Sequence, residues 1–146
     1  MSKTYTVGQD IKGPVRGITP ERIEWYDSAM LSACTNELRQ VGINIHTDEE
    51  FAKSQGFTAV NADGMIMTNW CSEMMSHEFG MDYIENGELR TKFIKPVLLG
   101  VQLHVKGKVM AVEKKGTGTL VSLAVWCEDE KGLKLVDGDA KVEVRN

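Results

Sequence analysis

One segment in the middle of the chain, from Gly64 to Phe79, limits the possible folds more than any other. Its spacing predicts a helix that Gly80 terminates, since glycine is the usual residue just beyond a helix end. Only a narrow stripe is polar, and the apolar side chains are Met65, Met67, Trp70, Cys71, Met74, Met75 and Phe79. A helix this apolar must be buried on most sides, so the chain needs a broad partner such as a curved sheet.

The second half of the chain supplies that sheet. Strand-like segments cover residues 89–96, 101–113, 120–128 and 133–144. A short connection ending in Gly100 separates the first two, and short turns with glycine and charged residues separate the others. Closely spaced strands joined by short turns predict antiparallel pairing. We therefore expect an α+β fold in which residues 1–146 form one domain and a curved antiparallel sheet wraps around the central helix.

The first half carries extended chain and helices. Residues 1–17 are predicted to be extended. Thr19 is an N-cap for a helix, or two short helices, over residues 20–40. A loop follows over residues 43–47, and Asp48 begins a short helix with acidic residues in its first turn, which Gly56 closes. Trp25, Tyr26 and Trp70 are expected to form core or pocket walls.

The composition excludes several classes of protein. The net charge of -4 without a basic stripe argues against nucleic-acid binding. No apolar run approaches the roughly 20 residues that cross a bilayer, and no apolar leader is present, so no membrane partner is expected. Three cysteines and three histidines are scattered without metal spacing, which predicts no metal site and a reduced, cytoplasmic protein.

The stretch from residue 44 to residue 65, NIHTDEEFAKSQGFTAVNADGM, contains the candidate site. It begins with a histidine in a loop, His46, and ends at the start of the apolar helix, Gly64, with the carboxylate of Asp63 beside it. We expect these three residues to meet in one pocket. An imidazole can take up or release a proton near neutral pH, and the free N–H groups of a helix N-terminus favour developing negative charge.

Three groups of residues resemble a known family. They are NIHTDEEFA at residues 44–52, ADGM at residues 62–65, and FIKPV at residues 93–97 with Gly100 after it. In this order and spacing the chain resembles the MaoC-like dehydratases, single-domain hotdog proteins that include (R)-specific enoyl-CoA hydratases. The resemblance extends from about Val7 to Val144. It implies a hotdog fold and a hydro-lyase that adds water reversibly across the 2,3 double bond of a 2-enoyl-CoA to give a 3-hydroxyacyl-CoA.

The resemblance also implies a role for individual residues. His46 would hold and activate the water, and the backbone N–H of Gly64 or its neighbour Met65 would bind the thioester oxygen. Asn44 would orient His46 or bind substrate, and Lys95, with Arg90 or Lys92, would meet the phosphates of coenzyme A. No metal or redox cofactor is implied. The expected assembly is a homodimer or a heteromeric pair of hotdog domains, with the sheets side by side and the pocket near the interface.

One position departs from the family pattern. The hydratase pattern has an aspartate five residues before the histidine, and this chain has Val41 there. Asp63 and Asp48 are the two candidates for the displaced carboxylate, and each is also a good helix cap. Two other functions stay open: a non-catalytic hotdog subunit that binds acyl-CoA or completes a partner's site, and an acyl-CoA thioesterase.

Overall fold

A computed structural model describes residues 3–35 and 42–145, and of residues 30–35 the backbone alone. The elements in chain order are β1 Asp10–Gly17, α1 Pro20–Thr35, α2 Glu49–Ser54, α3 Gly64–Phe79, α4 Met81–Asn86, β2 Glu88–Phe93, β3 Gln102–Lys115, β4 Gly118–Asp129 and β5 Lys134–Val144. The predicted helical segment at residues 36–40 and the departure at Val41 lie outside the described residues.

The five strands form one antiparallel sheet in the order β1-β3-β4-β5-β2, so that β1 and β2 are its two edges. Strands β3 and β4 form a long hairpin whose turn contains Gly116 at a φ of 59°, a conformation that glycine adopts without strain. Along β3 the side chains alternate between the two faces of the sheet: Leu103 and Val105 are buried, while Gln102 is exposed.

Helix α3 lies against the concave face of this sheet and contacts all five strands. Its buried side chains are Ile66, Met67, Trp70, Cys71, Met74, Met75 and Phe79. The boundaries are those predicted, with Gly80 as the C-cap. This arrangement confirms the α+β hotdog fold: an antiparallel sheet wrapped around one long apolar helix. The prediction that Met65 belongs to the core is wrong, because its side chain lies on the first turn and is 44% exposed.

A short helix, α4, follows directly after α3, and the sequence pattern did not predict it. Gly80, at a φ of 57°, ends α3 and begins α4 without a side-chain cap. Side-chain contacts fix α4 in place: the Tyr83 hydroxyl lies 2.9 Å from that of Ser72, and Arg145 Nε donates to Asp82 Oδ1 at 2.6 Å. Six residues are too few for a helical period to be recognised, so tertiary contacts decide this element.

Two crossing segments position the site. The connector before α3, residues 60–62, runs antiparallel to residues 97–99: Ala62 N–H donates to the Val97 carbonyl at 2.8 Å, and Leu99 N–H donates to the Val60 carbonyl at 2.9 Å. On its other side the connector binds the loop before α2. The start of α3 is therefore held between that loop and the segment following β2. No described helix combines the length and the apolar character needed to cross a bilayer.

Candidate active site

A cavity of about 290 Å³ lies where the loop before α2, the start of α3 and the segment after β2 come together. Three of the predicted site residues line it, namely His46, Gly64 and Lys95. Asn61 and Phe93 also line the cavity, although neither was predicted to be a site residue. A loop imidazole, a helix N-terminus and a cation therefore share one pocket.

The imidazole of His46 has a defined hydrogen-bond partner. Its Nδ1 lies 2.8 Å from the backbone carbonyl oxygen of Asn61. Because a carbonyl oxygen can only accept, Nδ1 carries the proton and donates it. In the neutral ring the other nitrogen, Nε2, then keeps a free lone pair. His46 is thus set up to accept a proton at Nε2.

Asn44 holds the loop that carries His46. Its side-chain Oδ1 accepts a hydrogen bond from the backbone N–H of His46 at 2.7 Å and another from Thr47 Oγ1 at 3.2 Å. Its backbone carbonyl accepts from the N–H of Asp48 at 3.0 Å. Of the two predicted roles of Asn44, these contacts favour orienting His46 through its backbone.

In the first turn of α3 the N–H groups of Met65 and Ile66 are engaged and that of Gly64 is open. The carboxylate of Asp63 caps the helix by accepting from the N–H of Met65 at 2.8 Å. The N–H of Gly64 has no acceptor among the described residues. Of the two predicted donors to the thioester oxygen, Gly64 is therefore the available one. The side chain of Met65 is not part of the cavity wall.

Asp48 is engaged in capping. Its Oδ1 accepts from the N–H of Phe51 at 2.7 Å, at the start of α2, and it does not line the cavity. Asp63 likewise is a cap, and it does not line the cavity, so the expectation that it meets His46 and Gly64 in one pocket is wrong for Asp63. The capping geometry accounts for both carboxylates without giving either a role in proton transfer.

A third carboxylate, Asp27 on α1, was not predicted as a site residue. Burial raises the pKa of Asp27, His46 lowers that pKa when it is protonated, and the carboxylate of Asp63 raises it. The pKa of the neighbouring Tyr26 is raised by burial and by the charges of Asp63 and Asp27. His46 and Asp63 thus both lie within electrostatic range of Asp27. Nothing in the local sequence distinguishes Asp27 from an ordinary polar helix position, because its surroundings arise only from packing.

A second, larger groove of about 590 Å³ runs between α1 and α3. Trp25, Tyr26 and Trp70 form its aromatic walls, as the sequence predicted, and Arg22 and Asn69 supply polar groups. The guanidinium of Arg22 lies 5.9 Å from the centre of the Trp70 ring. Tyr26 lines this groove, and the charges of Asp63 and Asp27 raise its pKa, so the two carboxylates lie within electrostatic range of one groove residue.

The fold and the cavity together define a class of protein: a hotdog domain in which a histidine that can act as a base lies beside a helix N-terminus with a free N–H group. Comparison with family models makes the assignment specific. The model described as MaoC like domain matches residues 43–141. The chain belongs to the MaoC-like dehydratase family, and this membership supports hydratase or dehydratase activity in general.

Solved structures agree on the fold. The (R)-hydratase from A. caviae involved in PHA biosynthesis matches with a TM-score of 0.72 at 17% identity, covering 98% of this chain and 99% of that chain. The HadBC (3R-hydroxyacyl-ACP dehydratase) complex from Mycobacterium tuberculosis matches with a TM-score of 0.71 at 18% identity, covering 97% and 98%. The ChsH1-ChsH2 complex from the same organism gives 0.69 at 14% identity, covering 97% and 100%. No curated protein sequence matches significantly.

Proposed function

We propose that this protein is a hydro-lyase that adds water reversibly to a 2-enoyl-CoA thioester to form a 3-hydroxyacyl-CoA. One observation carries the proposal: His46 donates from Nδ1 to a main-chain carbonyl at 2.8 Å, and so keeps Nε2 as a base in the cavity that also contains Gly64. Family membership, and the printed names of the (R)-hydratase and HadBC structures, support the same reaction class.

In the hydration direction, His46 Nε2 takes a proton from water as the water oxygen bonds to C3 of the enoyl group. Electrons move through the double bond to the thioester oxygen, which becomes an enolate oxygen. The N–H of Gly64 and the positive end of the α3 dipole stabilise that charge, and one such donor lowers the barrier by about 2.7–4 kcal/mol. A proton then reaches C2 as the enolate collapses back to the thioester.

Asp27 is our candidate for the acid that protonates C2, and the proton that His46 took from water then passes to Asp27, so that both groups return to their starting states. Burial raises its pKa, which favours the protonated carboxyl that an acid catalyst must offer. Asp63, which holds the helix cap, contributes by raising the pKa of Asp27 further. In this proposal the carboxylate that the family places before the histidine is supplied from α1.

Coenzyme A would bind along the open side of the cavity. Lys95 lines the cavity and is exposed, and Arg90 and Lys92 are exposed on the edge strand β2. None of the three forms an ion pair with another described residue, so all three are available to phosphates. The acyl group would extend into the aromatic groove along α3. No metal or redox cofactor takes part in the proposed reaction.

We further propose that the working form is a pair of hotdog domains, either a homodimer or a heteromeric pair. The edge strand β2 leads directly to Phe93 and Lys95, so pairing along this edge would bring a second domain close to the cavity. The HadBC and ChsH1-ChsH2 structures are, by their printed names, complexes of more than one kind of chain.

A spectroscopic assay tests the proposed reaction. Short, long and aromatic 2-enoyl-CoA thioesters are mixed with the protein, and loss of the conjugated absorbance is followed with thiol release recorded in parallel. Loss of the conjugated absorbance without release of thiol supports hydratase activity. His46→Ala should abolish this activity, whereas the control His77→Ala, at the exposed end of α3, should not. Thiol release identifies a thioesterase instead. Binding of acyl-CoA without turnover identifies a non-catalytic subunit, and repeating the assay with acyl carrier protein thioesters tests the carrier.

A further inference from the structure

The side chain of Asn61 is a buried polar group without a partner at the candidate site. Asn61 is 5% exposed, and it is the buried polar residue of the described core. Its Oδ1 is sealed from solvent and has no hydrogen-bond donor among the described residues. Buried carboxamides almost always have hydrogen-bond partners, so an unpaired one beside a cavity requires an explanation, and a group bound in the cavity supplies one.

The backbone of Asn61 fixes this side chain in place. Its N–H donates to the carbonyl of Ile45 at 3.0 Å, and its own carbonyl accepts from His46 Nδ1 at 2.8 Å. A β-bridge to Leu98 holds the residue on the other side. Both main-chain groups are therefore used, and only the carboxamide is left to interact in the cavity that Asn61 and His46 line together.

The chemistry of a carboxamide matches that of a bound water. A water molecule that gives one hydrogen to His46 Nε2 has a second hydrogen and a lone pair still to be held. A carboxamide offers both an acceptor and a donor. As placed, Oδ1 is sealed from solvent, so the amide holds the water through its N–H group, or through Oδ1 once the amide has turned over. An apolar side chain of the same size would leave the water free to rotate away from the double bond.

We propose that the Asn61 carboxamide is the second anchor of the attacking water, and equally of the 3-hydroxyl group that this water becomes. The inference rests on the proposed hydration reaction and deepens it. Asn61 then distinguishes a 3-hydroxyacyl thioester from the saturated acyl thioester that lacks the hydroxyl. His46 and Asn61 together fix the position of the oxygen, whereas Gly64 fixes the thioester.

Two equilibrium measurements test the assignment without requiring turnover. Dissociation constants of 3-hydroxybutyryl-CoA and butyryl-CoA are measured by calorimetry for the wild type, Asn61→Leu and the control Gln102→Leu, which changes an exposed carboxamide on β3. We expect Asn61→Leu to weaken binding of the hydroxyacyl thioester by about tenfold, the size of one lost hydrogen bond, and to leave the saturated thioester within about twofold. Gln102→Leu should change neither.

Thermal melting separates this role from a structural one. Because the carboxamide makes no internal hydrogen bond, Asn61→Leu should melt at or above the wild-type temperature while its kcat falls. Equal weakening of both thioesters, or equal affinity of the wild type for both, overturns the inference. If Asn61→Leu does not fold, Asn61→Ser and Asn61→Ala are compared, because serine retains a smaller polar group and alanine has none. If the ratio of the dissociation constants for 3-hydroxybutyryl-CoA and butyryl-CoA is the same in these two variants, the inference is overturned.

The proposed function is tested separately by wild-type turnover of 2-butenoyl-CoA. A wild type that binds both saturated and hydroxylated thioesters, but does not hydrate the enoyl form, overturns the hydratase. The ratio of dissociation constants still decides the role of Asn61 in that case, because it concerns recognition of the hydroxyl and not the chemical step.

Discussion

The ring of Phe93 lies directly against the Cα of Gly64, so that a Cβ added to Gly64 would lie 2.6 Å from Phe93 Cζ. Gly64 is therefore required by a close approach at the helix start and not by an unusual backbone angle. The ring covers one side of the helix N-terminus, where the open N–H lies. Phe93 is 49% exposed, so the outer end of its ring can still move.

Replacement of Gly64 by alanine should displace the Phe93 ring and disturb the thioester position more than the fold. We expect kcat/KM to fall by about tenfold, because alanine keeps the backbone N–H but displaces the Phe93 ring and with it the thioester; complete loss of such a donor would cost 10²–10³. The melting temperature should change little. Combining Gly64→Ala with Phe93→Leu, which shortens the obstructing side chain, should restore part of the activity. A double variant no better than Gly64→Ala would show that the ring is not the cause.

Replacement of His46 by glutamine should remove the base and keep a side chain of similar size. Hydration should slow by roughly 10²–10⁴, the usual contribution of general acid–base catalysis. His77→Gln is the matched control, because this histidine is exposed near the end of α3. Steady-state kinetics of both variants checks the prediction. Comparable losses in the two variants would contradict a special role for His46.

Replacement of Asp27 by asparagine should slow hydration and stabilise the protein above acidic pH. Burial raises the pKa of Asp27 in the folded state. The folded protein is therefore most stable, with respect to this group, below the ordinary aspartate pKa of about 3.9, and it loses that stability as the pH rises through the raised pKa. Asp27→Asn has no ionisable group at this position and does not lose stability in this way. The melting temperature of Asp27→Asn should exceed that of the wild type at pH 8, with the difference vanishing towards pH 3. A constant difference over this range would exclude titration of Asp27.

Asp63 can be tested for capping and for charge separately. Asparagine is as good an N-cap as aspartate, whereas alanine costs about 1 kcal/mol, so Asp63→Ala should lower the free energy of unfolding and Asp63→Asn should not. The negative charge of Asp63 raises the pKa of Asp27. Asp63→Asn should therefore move the Asp27-dependent limb of the pH–rate profile to lower pH. An unshifted limb would contradict electrostatic coupling between the two carboxylates.

Much of the fold could be predicted because strong local signals agree with the tertiary structure. The apolar segment between Gly64 and Gly80 has glycine at both ends, and its helix has the predicted bounds. Strand β3 alternates cleanly because one face is covered by α3. Helix α4 is too short to produce a period, and Met65 is apolar but exposed, so neither could be recognised from pattern alone.

The site was predictable only where chemistry and local sequence coincide. His46 and Gly64 belong to one stretch with a recognisable loop and helix start, and both line the cavity. Asp27 and Asn61 could not be identified in this way. The surroundings of Asp27 depend on how α1 packs, and the importance of Asn61 depends on its burial and on the path of its backbone.

The partner that fixes the proton on His46 is a main-chain oxygen, and this has an evolutionary consequence. Every amino acid carries a backbone carbonyl, so the tautomer of His46 depends on the backbone conformation at residue 61 and not on which amino acid is there. A substitution at Asn61 can change which oxygen-bearing group the pocket recognises while the base beside it stays correctly set. Selection can therefore alter recognition at this position in single mutational steps without first abolishing the proton acceptor.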